Sequence, residues 1–432
     1  MASTSAIVSS PDFRQEVLKR GGETAARCYQ CATCSSVCEL APAEAPFPRR
    51  QMLWTQWGLS DRLAGDPAVW LCHQCNDCTA HCPRDARPGD VLQVVRGLVV
   101  ESLAFPKALG RLVANAGKSW PILFGVPILF WLVLMGMGGM LQPPADFHAY
   151  EQIVPHSVLY AVFFPLTGLV ALAAFISGRR YWQAMGEAAP RSKSFLSGLW
   201  ATTVDISTHR RFGSCGTARF RRIGHLLLFW GFVGAAITSG LLIVAIYIQG
   251  YEMPLPLLHP YKLLGNISAV ALVVGAGILV AARLSDGKQA GASTAFDSFF
   301  STVVALVIAT GVLVELVRLV VPGVPVVAVA LVVGAGILVV ARITDHDRAG
   351  ASTPFDTFFT TVVALVIATG VIVDLVRLLI PGTPAVAVGS YVLHLGVVTT
   401  LFLTFPYSKF AHMLYRTLAM VHEQAGGPDE GA

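Results

Sequence analysis

Charge is what this sequence has least of. Only 13% of its 432 residues are Asp, Glu, Lys or Arg, against 54% apolar, whereas a soluble domain carries about a quarter charged. That excludes an ordinary soluble enzyme and puts most of the chain in lipid. Three further absences narrow the class. Met1 to Lys19 holds no long apolar run, so no secretory leader is expected and the cysteines should sit reduced, not in disulfides. No strand pattern leads into a G-x-G-x-x-G turn, so flavin or nicotinamide would have to reside on another chain. The apolar runs carry almost no ionisable residue beyond Glu315, Arg318, Asp374 and Arg377 near their ends, which argues against an ion-translocating protein. A net charge of +5 gives no reason to expect a nucleic-acid partner; in such a chain only its placement is informative.

What is present is a pair of cysteine runs. Cys28, Cys31, Cys34 and Cys38 repeat the spacing of Cys72, Cys75, Cys78 and Cys82, each reading C-x2-C-x2-C-x3-C. In that spacing three thiolates from one tight turn hold a 4Fe-4S cluster while the fourth reaches over to a second. The expected sets are therefore crossed: Cys28, Cys31, Cys34 and Cys82 for one cluster, Cys72, Cys75, Cys78 and Cys38 for the other. Structural zinc would call for two separated pairs of ligands. Pro83 follows the last cysteine of the second run as in bacterial ferredoxins, and Glu39 takes that place in the first. His73 and His81 are expected to hydrogen-bond near the second cluster, and Cys215 to be a lone reduced thiol. The expected architecture is all-α: a small helical ferredoxin-type domain over residues 1–118, a polytopic transmembrane bundle over 119–423, and a tail from 424 to 432.

Apolar stretches long enough for a bilayer, roughly 20 residues each, give about eight candidate spans. They cover 120–141, 156–178, 223–248, 265–283, 297–321, 325–342, 356–380 and 388–406. The segment 142–155 has no Lys or Arg, whereas 179–222 carries Arg179, Arg180, Arg191, Lys193, Arg210, Arg211, Arg219, Arg221 and Arg222. The positive-inside rule then puts that loop and the cysteine domain in the cytoplasm, with the protein in a bacterial inner membrane. Residues 269–327 recur without a gap as 328–386, keeping Gly275/Gly334, Arg283/Arg342, Asp297/Asp356, Arg318/Arg377 and Pro322/Pro381. The unit is one helical hairpin, duplicated and expected to pack peripherally.

Histidines near the span ends have a pattern of their own. His394 and His412 are five helical turns apart, so on one unbroken helix both imidazoles would point the same way, roughly 27 Å from each other. Such a helix offers one ligand near each membrane face, as two stacked b haems require. His225, directly after Arg221 and Arg222, is the expected partner of His412 at the inner haem. For the outer haem at His394 the preferred partner is His259, with His156 as the alternative. Lys262 could hydrogen-bond a quinone carbonyl. His148, His209 and His422 fall in loops or tails and are expected to be solvated.

These residues carry a resemblance to known families. RCYQCATCSSVCEL and WLCHQCNDCTAHCPRD resemble the C subunit of heterodisulfide reductase. RRIGHLLLFWGFVGA around His225 and HLGVVTTLFLTFPYSKFAH from His394 to His412 resemble the cytochrome b subunit of respiratory nitrate reductase. The fusion of the two is similar to the C subunits of quinone-interacting membrane-bound oxidoreductase complexes. That resemblance implies an electron-transfer subunit, not catalytic alone, with two 4Fe-4S clusters and two haems b. It implies menaquinone as substrate, flavin- and iron-sulfur-containing soluble subunits as partners, and adenylylsulfate reductase of sulfate respiration as the enzyme served. The sequence departs from the nitrate reductase pattern at Ala235, where that family has a second histidine in the helix of His225. The alternatives are a heterodisulfide reductase-type membrane subunit with a different soluble partner, and a membrane anchor without haem.

Overall fold

The computed structural model describes residues 8–41, 46–74, 76–142, 150–188, 193–210, 219–251, 255–256, 258–285, 354–379 and 383–426. Every regular element among them is helical. The longer ones are α1 Pro11–Val17, α2 Arg49–Gln56, α3 Ser60–Gly65, α4 Pro88–Leu103, α5 Lys107–Ala114, α6 Ala116–Met137, α7 His156–Ala188, α8 Phe195–Thr208, α9 Arg219–Tyr247, α10 Pro260–Ser285, α11 Pro354–Leu379, α12 Pro384–Thr404 and α13 Ala411–Gly426. The chain divides into two compact units, one made of the residues up to Thr202 with those from Ala351 onward, the other running from Thr203 to Gly350. The boundary expected at residue 118 falls inside α6.

In the first unit α4 organises the cysteine domain. Pro88 opens it where the missing N–H costs nothing, and Val91, Leu92, Val94, Val95, Leu98 and Val99 are buried along it. Met52, Leu63 and Val69 join the same core, which continues without a break into Tyr181 and Met185 of α7 and Tyr407, Ala411, Tyr415 and Ala419 at the C-terminal end. The cysteine domain is thus seated on the chain's own helices. Arg180 donates to the carbonyls of Leu103 (3.3 Å) and Ala104 (2.7 Å), and Tyr407 donates its hydroxyl to the carbonyl of Phe105.

α6 shows how a proline is accommodated in a long apolar helix. Pro127 has no N–H for the carbonyl of Leu123; Thr400 of α12 donates its hydroxyl to that carbonyl instead, at 2.9 Å. Trp131 donates to the hydroxyl of Thr399 at 2.8 Å, and Gly396 brings the two helices together, since a Cβ there would lie 2.4 Å from Ile128 Cγ1. The outward faces stay apolar. Trp120, Ile122, Val126, Leu129 and Val133 on α6 and Phe164, Leu169, Leu172 and Phe175 on α7 are all exposed, as they would be toward lipid and not toward water.

Among the described residues five stretches are long and apolar enough to cross a bilayer: Ala116–Met137, His156–Gly186, Arg222–Tyr247, Pro260–Leu279 and Pro384–Gly426. This is a multi-pass membrane protein. The 26-residue α11 stands where a span was expected over 356–380, while 297–321 and 325–342 lie outside the described residues, as does most of the duplicated hairpin. In the second unit α9 and α10 pair through small residues: a Cβ on Gly275 would sit 2.7 Å from the Gly224 carbonyl, and one on Gly234 2.2 Å from Ser268 Oγ. Backbones at that separation gain packing and interhelical contacts that lipid cannot replace.

One expectation is overturned here. His394 and His412 do not share a helix: α12 ends at Thr404, a 3-10 turn covers Phe405–Tyr407, Ser408 is extended (φ −86, ψ −170), and α13 starts at Ala411. Pro406, which cannot donate a ladder bond, lies in that break, so the five-turn alignment of the two imidazoles is lost.

Candidate metal centre and membrane histidines

The two cysteine runs fold by the same local rule. After the first cysteine of each run the residue two places on is left-handed, Gln30 (φ 59) and Gln74 (φ 54), and so is the residue four places on, Ala32 (φ 71) and Asn76 (φ 64). These turns curl the chain round a centre before a single helical turn, Thr33–Ser36 in one run and Asp77–Ala80 in the other. A left-handed non-glycine residue costs energy that persists only where the surroundings fix it. The same pattern recurs at matching positions of both loops.

Cys28, Cys31, Cys34 and Cys82 line one small space, together with Tyr29, Thr33, Arg49, Pro83 and Arg84. Three thiols of the first run and the last thiol of the second therefore line a common space. Donors surround the sulfurs: the Gln30 side chain to Cys28 at 3.4 Å and the Ala86 N–H to Cys82 at 3.3 Å, with Thr33 hydroxyl 3.5 Å from Cys31. The Thr33 contact holds the Cys31 thiol below its usual value, and burial and the neighbouring Cys28 push Cys34 up to about 11. A metal held by Cys34 would have to displace its proton. Among the described residues no three side chains converge as ligands of a single ion; a four-iron cube takes one thiolate at each corner.

The second run is described in part. Cys75 lies outside the described residues. Cys38, pushed up by burial, is close enough to Cys72 to feel its charge, and the Gln74 N–H points at Cys72 Sγ from 3.4 Å. Arg96 of α4 fixes this loop by donating to Val69 O (2.7 Å), Cys72 O (2.8 Å) and Gln74 Oε1 (3.1 Å). Arg416 of α13 reaches the same Cys72 carbonyl at 3.2 Å, one residue after Tyr415, whose ring stacks on Trp70 at 4.9 Å. His81 bonds the Asp77 carbonyl at 2.9 Å and is a turn-stabilising residue. Cys215 is outside the described residues.

The membrane histidines are held by their Nδ1 atoms. Thr369 Oγ1 lies 2.6 Å from Leu365 O, to which it donates, and 2.9 Å from His394 Nδ1, an arrangement compatible with an Nδ1–H donating to the hydroxyl oxygen. His412 likewise places Nδ1 against the Lys409 carbonyl, which can only accept. With the proton on Nδ1, Nε2 of either ring keeps its lone pair, the tautomer in which a histidine ligates a metal while its other nitrogen is hydrogen-bonded. His259 is the opposite: the Tyr261 N–H donates to its Nδ1 at 3.3 Å, which leaves the proton on Nε2. His156 sets Nδ1 3.6 Å from Glu151, and Lys262 lies half-buried in the first turn of α10.

His225 has a neighbour that the sequence did not reveal. His209 Nε2 is 2.7 Å from His225 Nδ1, under Phe229, whose ring centroid is 5.4 Å away. His209 is buried, as is His422, which packs against the edge of Trp182; neither is solvated as expected from its position in the chain. Burial also holds the His209 imidazole below its usual value. Only the fold joins His209 to His225, by returning α9 against the end of α8, and no local pattern carries that signal. His148 lies outside the described residues.

The comparisons with known proteins bear on each half. The 4Fe-4S dicluster domain family matches residues 24–86, and the family named citrate utilization protein B matches residues 320–429. The C subunit of the H(2):CoB-CoM heterodisulfide,ferredoxin reductase of Methanothermobacter thermautotrophicus is 30% identical over 115 residues, 26% of this chain and 62% of that subunit; the chain thus spans under two thirds of it. The C subunit of the ferredoxin:CoB-CoM heterodisulfide reductase of Methanosarcina mazei is 32% identical over 116 residues, 25% of this chain and 68% of that subunit. Citrate utilization protein B of Escherichia coli is 25% identical over 417 residues, 91% of this chain and 88% of that protein. No solved structure matches the chain significantly. The loops and their thiols define an iron-sulfur electron-transfer class. Within it, the N-terminal quarter of the chain belongs to the family of heterodisulfide reductase C subunits, while the C-terminal region resembles citrate utilization protein B.

Proposed function

We propose that this protein is the membrane electron-transfer subunit of an oxidoreductase complex, exchanging electrons between quinone in the bilayer and a soluble redox partner. The observation that carries this is the common space lined by Cys28, Cys31, Cys34 and Cys82, in a domain that shares its core with long apolar helices. Bound there, a 4Fe-4S cluster supplies one-electron chemistry, as a bis-imidazole haem does within the membrane. The remaining thiols, Cys38, Cys72, Cys75 and Cys78, would hold the second cluster, with Arg96 and the Gln74 N–H fixing their loop. The loop charges read from the sequence favour a cytoplasmic position for this domain.

For haem, the tautomers of His394 and His412 favour ligation through Nε2, and His225 has His209 against its other nitrogen as an orienting group. As the partner of His394, His156 is preferred to His259, which would have to give up its bond from the Tyr261 N–H to ligate through Nε2. Lys262 stands as a candidate quinone contact. The kinship of the N-terminal quarter favours a soluble partner of the heterodisulfide reductase kind, carrying flavin and iron-sulfur groups, over adenylylsulfate reductase. A second reading, a partner acting on citrate or a related tricarboxylate, is favoured by the match to citrate utilization protein B that runs through both halves of the chain.

A reduced-minus-oxidised visible spectrum of the purified protein tests the membrane part. The expected result is a low-spin b-type signal that His394→Ala diminishes. A protein that carries iron-sulfur absorbance and no haem signal would establish the anchor alternative instead.

A further inference from the structure

The two cysteine loops differ in what covers them. The second is tied at its start to the chain's own helices, with Trp70 stacked on Tyr415 and the Cys72 carbonyl taken by Arg96 and Arg416. The first opens outward: Tyr29, Cys31, Pro83 and Arg84 are all exposed, with Tyr29 at 68%. Arg84 lies over the Tyr29 ring, 4.2 Å from its centroid. Arg49 completes the lining, which holds two arginines and no acidic residue. Among the described residues neither Arg49 nor Arg84 forms an ion pair, whereas Arg27, Arg20 and Arg87 nearby in the domain each have a carboxylate within reach.

An exposed tyrosine under an arginine, beside a second uncompensated arginine, is the composition of a protein interface hot spot and not of an ordinary surface. We propose that the rim formed by Tyr29, Arg84 and Arg49 is the docking face for the soluble redox partner, and that this partner presents a carboxylate-rich, anionic surface to it. This inference rests on the function proposed above and adds the place and the charge of the contact. Complementary charge would steer the encounter and set its salt dependence, and the tyrosine would supply the desolvated anchor. The rival explanation is internal: the arginines would only offset the negative charge of a bound cluster.

Oxidised flavodoxin, an acidic electron-transfer protein, serves as the probe, titrated against the detergent-solubilised full chain at several salt concentrations. Binding of an oxidised probe requires no electron transfer. The expected result is saturable binding that weakens as salt rises and weakens about tenfold at low salt in Arg84→Glu, with Arg49→Gln and Tyr29→Ala as milder variants acting in the same direction. Lys19→Glu, the same charge reversal at a residue that pairs with Glu16 and does not line the rim, should bind as the wild type does. The midpoint potential of the clusters, followed in parallel, should stay unchanged in Arg84→Gln. No binding to the wild type, equal binding by Arg84→Glu, or a shifted potential with unaltered binding would overturn the docking face. Binding as predicted by a chain whose clusters exchange no electrons with a quinone would instead refute the proposed function and leave the docking face standing.

Discussion

Gly370 sits where a side chain would strike the ring of His394: a Cβ there would be 3.2 Å from the ring Cε1. That residue, with Thr369 hydrogen-bonded to Nδ1, holds the imidazole in position. Gly370→Leu should push the ring out of line at a packing cost of about 1–3 kcal/mol. If His394 holds one of two haems, the haem-to-protein ratio of the variant should fall by about half, measured by pyridine haemochrome assay. An unchanged ratio would remove His394 from the site. At this scale the sequence was legible where chemistry is local. The cysteines, and the turns that present them, follow from spacing alone. His209 was not legible: its burial against His225 comes from two helices meeting across a loop, and no residue near it in the chain signals the contact.

The elements follow composition and proline placement more closely than they follow periodicity. α6 runs through Pro121 and Pro127 because a neighbouring hydroxyl, that of Thr400, takes up a carbonyl that Pro127 leaves open. By contrast, the chain breaks round Pro406, which is why the five-turn histidine register read from the sequence fails there. α4 has a task beyond packing, since Arg96 ties the second cysteine loop to it by three hydrogen bonds. Hydrogen bonds from a charged donor contribute about 1.5–3 kcal/mol each, so Arg96→Met, which keeps the bulk over Trp70, should loosen that loop selectively. The expected outcome is iron content lowered by about half, with the signal of the first cluster retained. Equal loss of both clusters, or no loss, would show that Arg96 does not act on that loop.

For the whole molecule, the shared core running from Val17 through Tyr181 to Tyr415 makes the cysteine domain part of the membrane body instead of a tethered module. The sequence signalled the two compositions but not this seam, because the residues that form it, Trp70, Tyr181, Tyr407 and Tyr415, read individually as ordinary aromatic positions. The seam ties the second loop to the helices and leaves Tyr29, Cys31 and Arg84 beside the first exposed. The most direct test is low-temperature EPR on the purified full chain, reduced with dithionite, freed of reductant and then given menadione. The account predicts two interacting 4Fe-4S signals, from about eight iron atoms per chain if both sites are filled, and their disappearance when the quinone is added. A chain that yields no iron-sulfur signal, or one whose signals persist in the presence of menadione, would contradict it.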